Sequence, residues 1–426
     1  MRLELDITNI RNARFGDKTA INKSTLIINR EELRGLLKED ARLADVEIEL
    51  ALPGEKCRIT SVLDAIEPRT KNKNSGTDFP GALGGQGVVG HGSTCVLRGA
   101  AVLTSARFPA TEGRTGRATG GLVDMWGPGA EVGPYGKTCN VVLLPTPSLG
   151  VSQGDIEIAI KIAGLKAAVY LAKAGASIKP DEVEVYDMDP LATANGSSPK
   201  LPRVAYVFQV FSNQQLPLPG DPVFYGDNID GIVPTIVHPN EILDGAITTR
   251  TIDTYLLQNH PVIKELYGHH GKDLNFVGVI ITTAPNNGPA IDRVANIAAN
   301  QAKWILKADG IILTKYGGGA PEMTMAATAQ KCERLGIRTA LAIQHAGLDT
   351  AEISPKASSI FTDVPEVDAI VSLGTNVGGP DLKLPAAERV IGADSAQSAG
   401  EMVRQFGQIR GATSLIGNSK LMTVRY

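Results

Sequence analysis

Residues 274–343 read LNFVGVIITTAPNNGPAIDRVANIAANQAKWILKADGIILTKYGGGAPEMTMAATAQKCERLGIRTALAI, and this stretch decides the fold. Continuous apolar runs at 274–281, 311–314 and 337–343 are strand candidates, and helical periodicity separates them at 290–307 and 321–335. In the first helix Ile291, Val294, Ala298, Ala302 and Ile305 form one apolar stripe. Strands that are apolar throughout, alternating with amphipathic helices, predict a parallel sheet covered on both faces. A further strand at 368–373 extends it. Such a sheet places ligands at the carboxyl ends of its strands, here the loops 282–288, 315–321, 344–349 and 374–379. The segment from Lys315 and Tyr316 to Glu322 begins at one of these ends.

Toward the N-terminus, Ile158, Ile162, Leu165, Val169 and Ala172 recur at helical spacing within 155–174, with Asp155 as N-cap and Gly175 as stop. A polar connector containing Pro180, Pro190, Pro199 and Pro202 separates this helix from a strand at 204–211. Earlier still, Leu3, Leu5 and Ile7, then Val46, Ile48 and Leu50, alternate as in half-buried strands, with a short helix at 31–38. Strands are expected at 94–103 and 140–144, between glycine-rich loops at 79–92 and 113–136. The fold class is therefore α/β. A strand-rich N-terminal domain with Gly-rich loops is expected over 1–150, and a helix, connector and strand over 151–250. A Rossmann-like domain with a mostly parallel, helix-covered sheet is expected over 251–426.

The 426 residues carry 42 Lys and Arg against 45 Asp and Glu, a net charge of −3, so no global field draws the chain to nucleic acid or to an anionic membrane. No apolar run approaches the ~20 residues that span a bilayer. The opening MRLELDITNIRNARFGDK lacks the apolar core of a signal peptide, and a cytoplasmic location is expected. Cys57, Cys95, Cys139 and Cys332 lie far apart without a C-x-x-C pair and read as buried thiols. No metal site is expected: His269 and His270 are neighbours that point in different directions, and the run His238-Pro239-Asn240-Glu241 lacks a second imidazole. Gly85-Gln86-Gly87-Val88-Val89-Gly90 matches G-x-G-x-x-G, but no strand precedes it and no helix follows, so it reads as tight turns. There is no G-x-S-x-G elbow. His238, at the end of the strand-like run 231–237, is a polar tip suited to catalysis or binding.

Several long segments resemble the proprotein (alpha/beta) subunit of component B of the glycine, sarcosine and betaine reductases. They are MRLEL at the start, Ala65-Ile66-Glu67-Pro68-Arg69 with Phe79-Pro80-Gly81, and Gly121-Leu122-Val123-Asp124-Met125 through Gly129-Ala130-Glu131. Most specific are IVPTIVHPNEILDGAI at 232–247 and NHPVIKELYGHHGKDLNFVGVIIT at 259–282. The resemblance implies an oxidoreductase subunit that binds a two-carbon amino acid or its N-methylated form. It further implies a larger component B partner bearing selenocysteine or cysteine, which displaces the amine. A small selenoprotein and a thioredoxin-type electron donor then complete the reduction. Within the matching segment His238, Glu241 and Asp244 are the candidate catalytic groups.

In the glycine enzyme the resemblance also implies self-cleavage at a cysteine after this segment, which becomes a pyruvoyl group. Here Ala246-Ile247 is followed by Thr248-Thr249-Arg250-Thr251-Ile252-Asp253-Thr254-Tyr255, which contains no cysteine. Thr248, Thr249 and Thr251 mark a vestigial cleavage loop, and the chain is expected to stay intact, without a pyruvoyl cofactor. A quaternary ammonium cannot form an imine and needs no carbonyl trap, so the unprocessed sarcosine or betaine type is expected. Tyr255, Tyr316, Trp126 and Glu322 are candidates to line the site of a methylated ammonium, and Arg250 to pair with the substrate carboxylate. Two alternatives remain: a non-catalytic partner that completes the larger subunit, and a homologue recruited to another small substrate.

Overall fold

A computed structural model describes residues 1–106, 121–189, 200–212, 220–228, 232–249, 252–317, 319–345, 366–375, 381–392 and 398–417. Strands β1 (Arg2–Asn9), β2 (Asn12–Phe15), β3 (Ala20–Asn22) and β4 (Thr25–Ile28) lead into helix α1 (Arg30–Leu37). Then come β5 (Leu43–Ala51), β6 (Cys57–Ile66), β7 (Arg69–Lys71), β8 (Gly92–Arg98), β9 (Ala100–Ser105) and β10 (Gly121–Asp124). Helix α2 (Gly127–Val132), β11 (Cys139–Pro147) and helix α3 (Gln153–Ala172) precede β12 (Glu182–Asp187) and β13 (Arg203–Ser212). Next are β14 (Thr235–Val237), α4 (Pro239–Leu243), α5 (Thr254–Gln258), α6 (Pro261–His269) and β15 (Asn275–Ala284). Helix α7 (Gly288–Asn300), β16 (Gly310–Thr314), α8 (Ala320–Arg334), β17 (Arg338–His345) and β18 (Ala369–Thr375) continue the alternation. The described chain closes with β19 (Asp381–Leu384), β20 (Arg389–Ile391) and β21 (Met402–Gln405).

The fold is α/β. Its parallel part is a sheet in the order β14-β15-β13-β16-β17-β18, in which only the short β14 runs antiparallel. Side chains alternate along a strand, and β13 uses this fully. Tyr206, Phe208 and Val210 pack with Ile242, Leu257 and Ile263 from α4–α6, whereas Ala205 and Val207 pack with Ala298 and Ala329 from α7 and α8. Helices thus cover both faces, which is why the central positions of these strands are mostly apolar on both faces.

Two larger sheets and the small sheet β2-β4-β3 build the N-terminal part. One has the order β12-β1-β8-β7 and the other β10-β6-β9-β11-β5, with α3 packed against β6, β7 and β9. The chain returns to both: β12 pairs with β1, and β20 pairs with β6. All four cysteines are buried free thiols.

Several elements differ from the reading of the sequence. The run 94–103 is two strands in two sheets, because the chain turns at Gly99 with φ +85°, where a Cβ would stand 2.3 Å from the Ile10 carbonyl oxygen. Ser152, not Asp155, caps α3, its side chain accepting from the Asp155 N–H. Helix 290–307 stops being α-helical at Asn300 and continues as a π turn, Gln301–Ile305, in which Leu306 N–H reaches back five residues to Gln301. That wider turn rotates the stripe, so Ala302 and Leu306 are buried while Ile305, and Trp304 beside it, face solvent. The loop expected at 113–136 contains helix α2, and of the run 231–237 only Thr235–Val237 is strand. Residues 113–120 and 231 lie outside the described residues.

Candidate functional site

From β13 the chain goes to β15 on one side and then crosses to β16 on the other, the doubly wound order whose switch point lies between the first and third parallel strands. That point is the carboxyl end of β13 and β16, where Phe208 pairs with Thr314. Lys315 follows directly, its side chain only 1% exposed, and its ammonium lies 2.5 Å from Glu322 Oε1 in the first turn of α8. Glu322 is 17% exposed, so the pair meets solvent through its carboxylate. The other carboxylate oxygen accepts from Gly319 N–H at 3.3 Å, which fixes Glu322 at the helix start. Gln209 holds both ends of the intervening loop, accepting from Tyr316 N–H at 2.9 Å and donating to the Pro321 carbonyl at 3.1 Å. Burial lowers the Lys315 pKa, and the hydrogen bond to Glu322 opposes this.

Beneath the loop the Tyr206 hydroxyl lies 2.6 Å from Thr314 Oγ1 and 3.4 Å from His260 Nε2. His260 is fully buried, burial pushes its pKa to about 3, and its Nδ1 finds no hydrogen-bond partner among the described residues. It is a neutral imidazole in the wall under the switch point.

The run after β14 does different work. His238 caps α4: its Nδ1 accepts from Asn240 N–H at 3.2 Å, and Glu241 Oε1 accepts from His238 N–H at 2.7 Å. The second Glu241 oxygen accepts from the Tyr225 hydroxyl at 2.6 Å. Burial pushes His238 to about 4, so it is neutral near pH 7. Asp244 accepts from Lys71 Nζ at 2.6 Å, Gly90 N–H at 2.7 Å and Thr94 Oγ1 at 2.8 Å. With Arg69, Asp78, Phe79 and Gln258 these side chains line a cavity of about 10 Å3, room for one water.

At the loop that follows, the Thr248 hydroxyl donates to the Pro222 carbonyl at 2.7 Å, and the Thr248 carbonyl accepts from Lys161 Nζ at 2.9 Å. Lys161, buried in α3, also donates to Asp221 and to the Pro222 carbonyl, each at 2.6 Å. Thr249 is buried, while Arg250 and Thr251 lie outside the described residues.

The structure therefore brings Tyr316 and Glu322 to the switch point and places His238 and Glu241 together at a helix cap. Tyr255 instead packs edge-on against Tyr135, 5.5 Å between ring centres, and Trp126 lies 5.5 Å under the Arg58 guanidinium. Sequence reasoning did not select Lys315, Lys161 or His260 as site residues. A lysine within the apolar stretch of α3 was the available signal for Lys161. Among the described residues no group of three or more His, Cys, Asp or Glu side chains forms a metal site.

These features define a class: a doubly wound α/β protein with a buried charged pair at the carboxyl end of its parallel sheet, joined to strand-rich sheets by a network of buried polar contacts. The chain belongs to the glycine/sarcosine/betaine reductase component B subunit family, whose sequence profile matches residues 1–422. It is 36% identical over 451 residues, covering all of both chains, to "Glycine reductase complex component B subunits alpha and beta" of Acetoanaerobium sticklandii. It is 36% identical over 400 residues, 92% of this chain and 89% of the relative, to "Sarcosine reductase complex component B subunit alpha" of Peptoclostridium acidaminophilum. To "Betaine reductase complex component B subunit alpha" of the same organism it is 33% identical over 350 residues, 80% of this chain and 77% of the relative. No solved structure matches the chain. Among the described residues no helix is long and apolar enough to cross a membrane.

Proposed function

We propose that this chain is the intact, pyruvoyl-free subunit of a component-B-type reductase and that it binds sarcosine or betaine for reductive C–N cleavage. The larger partner subunit supplies a selenolate or thiolate that attacks the α-carbon. A Se–C or S–C bond forms, the C–N bond breaks, and the free amine leaves with the bonding electron pair. The carboxymethyl group then passes to the small selenoprotein, and the thioredoxin-type donor supplies the electrons for its reduction.

The observation that carries the reading is chemical: between Ala246 and Tyr255 there is no thiol, so an N→S acyl shift has no nucleophile. The Thr248 hydroxyl, the nearest described substitute, is held by the Pro222 carbonyl. The relatives' names run the same way, the glycine proteins being named as two subunits and the sarcosine and betaine proteins as one. Intact-mass spectrometry tests it. One species near 44.9 kDa that borohydride leaves unchanged is expected, and two fragments, one carrying a reducible carbonyl, would refute it.

A second reading, a subunit that only completes its larger partner, is favoured by the engagement of His238, Glu241 and Asp244 in scaffolding bonds. Binding of sarcosine or betaine by the full chain alone separates the two.

A further inference from the structure

The Lys315–Glu322 pair is an unusual thing to bury. An ammonium has three donors, and among the described residues Lys315 has one acceptor, Glu322 Oε1. Burying a charge is costly unless its bonds are completed, and this pair, with one of three ammonium donors used among the described residues, stands at the switch point where a doubly wound sheet offers a crevice. The loop that carries it is braced by Gln209 at both ends, which preorganises the two charges.

We infer that Lys315 and Glu322 form a clamp for a zwitterionic amino acid, Lys315 taking the carboxylate and Glu322 facing the ammonium. The ligand enters as a neutral dipole between two opposite charges, so no net charge is buried when the internal pair opens to receive it. The carboxylate fills donors that Lys315 now leaves idle. A secondary ammonium gives Glu322 two N–H donors, and a quaternary one gives only Coulomb contact, so one clamp accepts both and holds them differently. This assigns the carboxylate to Lys315 rather than to Arg250, and it rests on the proposal that the chain binds such a substrate.

Calorimetric titration of the full chain tests it with sarcosine, betaine and 3,3-dimethylbutanoate, the anionic carbon isostere of betaine that keeps the carboxylate and lacks the ammonium charge. Wild type should bind a zwitterion at least about 10-fold tighter than the isostere. K315M should lose zwitterion and isostere alike by about 100-fold. E322Q should keep the isostere and lose the preference for the zwitterion. Unchanged zwitterion affinity in K315M overturns the clamp and leaves the functional reading standing. A wild type that binds no zwitterion overturns both. Should K315M fail to fold, E322Q decides alone, an unchanged preference overturning the clamp.

Discussion

Asp64 offers the sharpest quantitative test of the fold. It lies buried on β6, its Oδ1 accepting from Ala65 N–H at 2.8 Å and Thr254 N–H at 2.9 Å, its Oδ2 from Thr254 Oγ1 at 2.8 Å. Next in the chain to Thr254, Asp253 binds Arg410 and, at 2.6 Å, the Tyr135 hydroxyl. Burial, with the Asp253 charge as the second cause, raises Asp64 from 3.8 to about 7. The folded state therefore holds a proton that the unfolded chain releases near pH 4. Stability falls as pH rises from about 4 to about 7 and levels off above that, a total of about 4 kcal/mol at 1.36 kcal/mol per unit. Between pH 5 and 8 the loss is about 3 kcal/mol. Asp64→Asn keeps the Oδ1 acceptor and cannot ionise, and the Thr254 hydroxyl can turn to accept from the new amide. Urea unfolding of both proteins at pH 5, 6, 7 and 8 should show the variant gaining on wild type by about 3 kcal/mol across the series. Because every other titrating group is shared, a difference that stays flat with pH would refute the protonated Asp64.

Lys161→Met removes the ammonium and leaves Asp221 buried without it, so unfolding stability should drop by about 3–5 kcal/mol, and Lys161→Met with Asp221→Leu should recover much of that. Limited proteolysis should then cut wild type slowly and the single variant quickly near 248–251, where the Lys161 bond to Thr248 is lost. Gly99→Ala forces a side chain onto φ +85° and against the Ile10 carbonyl, and should lower stability by at least about 1–2 kcal/mol in thermal unfolding, whereas Gly85→Ala, with open space around it, should not.

Much of the parallel sheet was legible because covering both faces forces unbroken apolar strands, and β16, α8 and β17 fall within a residue or two of the expected bounds. Gly99 was harder: an apolar run on either side of one glycine looks like a single strand, and only the approach of Ile10 reveals the turn. The π turn at Gln301 was invisible for a related reason, since an apolar stripe records spacing and not the wider turn that rotates it. At the site, the sequence placed the loop 315–321 at a strand end, but a switch point depends on strand order, and β13 comes to lie between β15 and β16 through contacts far apart in the chain. Lys161 and Asp221 are separated by sixty residues, and nothing in either segment announces the other.

The two runs that carried the family resemblance turn out to serve separate physical ends. In 232–247, the Asn240 amide donates to the carbonyls of Gly90 and Tyr186, and Asp244 gathers Lys71, Gly90 and Thr94, so the segment fastens the glycine-rich loop to the parallel sheet. In 259–282, His260 sits under Tyr206 and Thr314, directly below the loop that carries Lys315. A long, specific match can therefore mark buried scaffolding as readily as chemistry. Asp244 has its carboxylate oxygens occupied by donors from Lys71, Gly90 and Thr94 and presents little to a ligand, whereas Lys315, at the carboxyl end of β16, has among the described residues one acceptor for its three donors. On the proposed clamp the substrate would sit beside Lys315 and Glu322, and the bonds that His238, Glu241 and Asp244 make would then serve to hold the surrounding segments in place.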